Sequence, residues 1–157
     1  MSYLRMAVLF ILALAAHWLW SAYFSFLGLA PQILLVLTVI AAARQGSITG
    51  MCLGFAWGLF LDVFQPHLFG ANALVLTLIG YAVGAVRRQI DVAGFGPLCA
   101  LVLSMTWGYF VLTGILGLIF MKSFFWVGWR PFLFDPLYNC ALIAPLFLIW
   151  ESFTRDS

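Results

Sequence analysis

The chain has 157 residues, of which 66% are hydrophobic and 8% charged, with a formal net charge of +2. A soluble domain carries roughly 45–50% apolar and about 25% charged residues, and a chain this short leaves much of its surface in water, so the composition excludes a water-soluble globule and makes lipid the solvent. The seven Lys and Arg stand singly or in one pair, which excludes a nucleic-acid partner.

A spanning helix takes about 20 apolar residues, so about six helices use roughly 120 residues and leave room only for short connections. The predicted fold class is an all-α integral membrane protein, a bundle of about six transmembrane helices in one polytopic domain over 1–157. The runs lack the period-2 alternation of a membrane barrel.

The first apolar run covers about 4–24. Arg5 and Ala13-Leu14-Ala15 imitate a cleavable leader, but the run continues through Trp18 and Trp20 to Phe24 and reads as a retained helix. Gly28 and Pro31 break the chain, and Pro31 suits the first turn of a second helix over about 31–43. That run alone is half a normal span. A third helix is predicted over 48–64, with Asp62 near its end, and a fourth over 69–86, stopping at Arg87-Arg88. The fifth covers 98–121, an aromatic connection runs from Lys122 to Pro131, and the sixth covers 132–150.

Six helices put both termini on one side, with Arg5, Arg44, Arg87, Arg88 and Arg155, against Lys122 and Arg130 on the other. The positive-inside rule then places both termini in the cytoplasm.

Several features invite a role. Gly50, Gly54 and Gly58 recur every four residues and share one helix face, and Gly80 and Gly84 repeat the spacing in the fourth helix. Such faces let helix backbones approach closely in lipid, within this chain or against a partner helix. Asp62 is the one acid well inside an apolar run, a costly position. Its plain reading is structural: a carboxylate accepting backbone N–H groups at the start of the fourth helix, near Gly70 and Asn72. Contact with a partner or ligand is the alternative. In the aromatic connection, Trp126, Trp129 and Arg130 read either as an interfacial anchor or as a docking surface. Arg130 is within reach of Asp135 for an exposed ion pair, which would contribute little.

Cys52, Cys99 and Cys140 lie far apart in apolar runs, and His17 and His67 are isolated, so neither a metal site nor a disulfide framework is predicted. There is no nucleophile elbow, phosphate-binding loop or zinc-protease motif, so no catalytic residue and no cofactor is assigned.

The stretch from Gly54 through Trp57 and Gly58 to Asp62, then Leu68-Phe69-Gly70-Ala71-Asn72-Ala73-Leu74 and Tyr81, resembles the rod shape-determining MreD family, with its G-F-x-x-G-L-x-x-D and L-G-x-x-A-L runs. Pro31-Gln32 and the final segment with Asn139 and Ala144-Pro145-Leu146 are similar too, although many members carry an acid or Asn where this chain has Gln32. The resemblance implies a non-catalytic scaffold in the bacterial cytoplasmic (inner) membrane that serves cell elongation and peptidoglycan synthesis. It implies MreC as the main partner, RodA and a class B penicillin-binding protein in the same assembly, and MreB indirectly. It makes Gly54, Gly58, Asp62 and Gly70 candidates for shaping the MreC-binding surface.

The architecture is also similar to the substrate-capture subunits of energy-coupling-factor vitamin transporters. On that alternative, Trp57, Asp62, His67 and Asn72 would line a pocket.

Overall fold

The structure is a computed structural model that describes residues 8, 11–19, 32–64, 68–89 and 94–154. Arg5, Gly28, Pro31, His67 and Arg155, which carry several of the sequence expectations, lie outside them. The described residues are helical over 11–19 (α1), then form α2 (Ile33–Gln45), α3 (Ser47–Phe64), α4 (Ala71–Val86), α5 (Phe95–Met121), α6 (Trp129–Ala141) and α7 (Ile143–Thr154). No strand occurs among them.

The core is built around α2. From Ile33 to Ala43 its sequence is apolar on every face apart from Thr38, and a helix of that kind belongs in an interior. Every residue from Ile33 to Ala43 is at most 4% exposed. Thr38 does not need an external partner, because its hydroxyl donates to Leu34 O at 2.7 Å one turn back. Around α2 pack α3, α4, α5 and α7.

Polarity is inverted on the outside. Phe55 and Val63 of α3, Leu78 and Tyr81 of α4, Ile119 of α5 and Leu137 of α6 are all exposed. In water so much outward apolar surface would drive aggregation; in lipid it is the ordinary surface of a bundle. Three helical stretches are long and apolar enough to cross a membrane: Ser47–Phe64, Phe95–Met121 and Trp129–Leu148. The α2 and α4 helices are shorter. Their 13 and 16 residues rise only about 20 and 24 Å, against a hydrocarbon layer of about 30 Å.

The helix boundaries correct the sequence expectations at several points. The second helix runs to Gln45, past the Arg44 expected to close it, and Gly46 alone joins α2 to α3. Gly46 has φ +100°, and its N–H donates to Ala42 O at 3.0 Å, so the turn is made in one residue that a side chain would strain. The fifth helix starts at Phe95 and keeps Pro97 in its first turn, where the missing N–H has no helical acceptor anyway. Trp129 and Arg130 were expected in a loop but form the first turn of α6.

The predicted sixth helix over 132–150 is two helices, broken at Leu142. The physical reason is Pro145, which cannot donate to Ala141 O, so the ladder fails there. Bonds from Leu142 N to Tyr138 O and from Leu146 N to Leu142 O carry the chain across the break. At the far end of the bundle the Arg44 guanidinium lies 4.5 Å from the centre of the Phe147 ring, tying α2 to α7.

Candidate functional site

The two short helices pose the same chemical problem. A helix beginning inside an apolar layer has first-turn N–H groups with no helical acceptor and no water. Neither Gln32 nor Gly70, the N-cap residues of α2 and α4, makes a side-chain cap hydrogen bond. In both cases a polar side chain from another helix supplies acceptors.

At α4 the supplier is Asp62, near the end of α3 and 2% exposed. Its Oδ1 accepts the Asn72 N–H at 3.0 Å and Asn72 Nδ2 at 2.9 Å, and its Oδ2 accepts the Ala73 N–H at 3.0 Å. The Ala71 N–H donates to Leu68 O at 3.2 Å, which completes the first turn. A carboxylate at a helix N-terminus also gains from the helix dipole, and its bonds are charge-assisted. Gly70 allows this geometry through its φ of +93°; nothing lies within 4 Å of where its Cβ would be, so conformation rather than space calls for glycine. Asn72 passes the network on, because its Oδ1 accepts the Tyr109 hydroxyl of α5. Three helices are thereby joined at one buried point.

At α2 the supplier is Asn139 of α6, which is fully buried. Its Oδ1 accepts the Gln32 N–H at 2.9 Å, and its Nδ2 donates to Thr106 Oγ1 of α5 at 3.1 Å. Thr106 in turn donates to Val102 O at 2.8 Å.

The glycine stripe explains how Asp62 reaches α4. A Cβ on Gly54 would overlap the Leu76 carbonyl, and one on Gly58 would overlap the Ala73 backbone. Gly50 meets Ala42 of α2 and Gly80 of α4, and Gly84 meets Ser47. The two helices therefore run antiparallel with backbones in contact, and the face of Gly50, Gly54 and Gly58 is occupied by this chain's own α4 and α2.

The aromatic segment forms a second packed unit. Lys122 takes a left-handed φ of +53° and ends α5, turning the chain back over that helix. The Phe124 ring sits where Gly114 leaves room, a Cβ there lying 2.5 Å from it, and the Phe125 ring covers Gly117. Trp126 packs edge-on against Trp129 at 5.1 Å and lies 5.5 Å from Phe132, which itself lies 6.3 Å from Phe110. Pro136 inside α6 cannot donate to Phe132 O, and the Trp107 indole N–H fills that place at 3.0 Å. Trp126, Trp129 and Arg130 remain exposed.

The Arg130–Asp135 pair is not formed. Five positions on a helix separate two side chains by about 140°. Arg130 faces outward, while Asp135 is only 4% exposed, and its Oδ1 has no hydrogen-bond partner among the described residues. Of the pocket residues named above, Asp62 and Asn72 are bonded to each other, and Trp57 is buried in the core. Sequence reasoning missed Tyr109, Thr106, Trp107 and the capping role of Asn139. Each is a polar group inside an apolar run, and that was the available signal. No group of three or more His, Cys, Asp or Glu suited to a metal ion occurs among the described residues.

No curated protein and no solved structure matches the chain. The model of the family described as rod shape-determining protein MreD matches residues 1–156, essentially its whole length. With that match and a bundle of apolar helices, the chain belongs to the rod shape-determining MreD family of membrane proteins.

Proposed function

We propose that the chain is a non-catalytic scaffold subunit of the bacterial cell-elongation machinery, crossing the cytoplasmic membrane six times with both termini in the cytoplasm. MreC is its direct partner; RodA and a class B penicillin-binding protein belong to the same assembly, and MreB is reached indirectly. The observation that carries this reading is the family match over residues 1–156. The polar chemistry of the interior supports it. The Asp62 carboxylate and the Asn72 and Asn139 amides are engaged in joining helices, as suits a protein that presents a fixed surface.

On this reading Gly54, Gly58 and Asp62 serve the partner indirectly, by fixing the α3–α4 hairpin. The contact surface is the exposed aromatic end around Trp126, Trp129 and Arg130, where Trp129 is 70% exposed. Aromatic and Arg side chains of that kind make interface anchors. The test is co-purification from native membranes. MreC is expected with the wild-type chain and lost with Trp129→Ala plus Arg130→Ala at unchanged protein level. Retention of MreC by that double variant would exclude this surface.

A further inference from the structure

Two buried acids in this bundle have opposite surroundings. Asp62 accepts three hydrogen bonds. Asp135, 4% exposed on α6, has an Oδ1 with no donor. Ionising a carboxyl group whose buried oxygen lacks a donor is costly in an apolar interior, which favours the neutral acid.

Gln32 carries a second orphan. Asp135 is one helical turn before Asn139, so their side chains share the inward face of α6. Asn139 holds the Gln32 N–H, which brings Gln32 to that face. Gln32 Oε1 is also buried without a partner. Two acceptors cannot bond to each other, but a single proton converts one of them into a donor.

We propose that Asp135 carries a proton in the folded protein and donates it to Gln32 Oε1, forming a proton-dependent latch between the start of α2 and α6. No ion pair to Asp135 occurs among the described residues, and the other titratable side chains of α6 beside Arg130 are Tyr138 and Cys140. The α5 helix has no charged residue, and its titratable side chains are Cys99 and Tyr109, the latter bonded to Asn72. The one charged residue of α2, Arg44, sits at the opposite end against Phe147. The charged residue of α7, Glu151, lies beyond the Leu142 break, and Arg130 points outward. Removing the proton would leave a bare carboxylate facing an amide oxygen and push α2 and α6 apart.

The latch is tested by infrared spectroscopy of the purified chain in lipid nanodiscs at neutral pH, with and without carboxyl-¹³C aspartate. The expected result is a protonated carboxylic-acid carbonyl band that shifts with the label and disappears in Asp135→Asn, which keeps the shape and a donor. In Gln32→Met the band should move to higher frequency as the acid loses its acceptor. Absence of a label-sensitive acid band in the wild-type chain would overturn the proposal and mean that the Gln32 amide presents its NH₂ group to an ionised Asp135. A band that persists in Asp135→Asn, or stays in place in Gln32→Met, would overturn it as well.

Discussion

The α3–α4 hairpin and the α5–α6 unit solve the same packing problem by opposite means. In α3–α4 the side chains are removed: Gly50, Gly54, Gly58, Gly80 and Gly84 bring two backbones into contact, and one carboxylate closes the end. In α5–α6 side chains are added: Phe124 and Phe125 fold onto Gly114 and Gly117, and rings from Phe110 to Trp129 fill the remaining space. The first interface has no slack, because backbone cannot move aside. The second is made of rings that can repack. A glycine stripe in a membrane helix can thus be an internal seam, and the exposed aromatic cluster is the more adaptable surface.

The largest effect is expected in the glycine seam. Gly54→Leu places a side chain on the Leu76 carbonyl and should cost more than about 3 kcal/mol, beyond ordinary overpacking. The check is recovery of monodisperse protein in detergent, expected to be lost. Next comes Asp62→Ala, which leaves the Asn72 and Ala73 N–H groups of α4 without acceptors. Unsatisfied buried donors put the cost at about 2–4 kcal/mol, read as a lowered thermal midpoint.

In the aromatic unit the effects are smaller. Trp107→Phe removes the donor to Phe132 O and should cost about 1 kcal/mol. Pro136→Ala should cancel that cost, because residue 136 then provides the helical N–H itself. A double-mutant cycle on thermal midpoints measures the coupling, and additive effects would show that the indole bond is incidental. The smallest effect has the opposite sign. A Cβ at Gly108 meets nothing within 4 Å, so Gly108→Ala should stabilise α5 by about 0.5–1 kcal/mol through helix propensity.

Much of this was legible in the sequence, for physical reasons that can be named. Apolar content and run length gave the helical membrane class. The four-residue period of the glycines gave a shared face, and the isolation of Asp62 in an apolar run pointed to a carboxylate with local backbone donors. Other features depend on long-range geometry. Nothing in the neighbours of Asn139 says that it meets Gln32, 107 positions away. The Leu142 break follows from Pro145, yet Pro136 in the same segment leaves its helix intact because Trp107 compensates. The Arg130–Asp135 pair does not form because Arg130 belongs to α6 and not to the preceding connection, and the 3.6-residue period sends the two side chains to different sides.

The Gly50–Gly54–Gly58 face is internal to this chain. The most direct measurement is thermal unfolding of isolated Gly58→Ala in nanodiscs, beside the wild-type chain and with no partner present. A methyl at that position would overlap the Ala73 backbone, so the midpoint of the isolated variant should fall clearly. An unchanged midpoint, together with loss of MreC capture by the same preparation, would contradict the claim and turn the stripe outward to a partner.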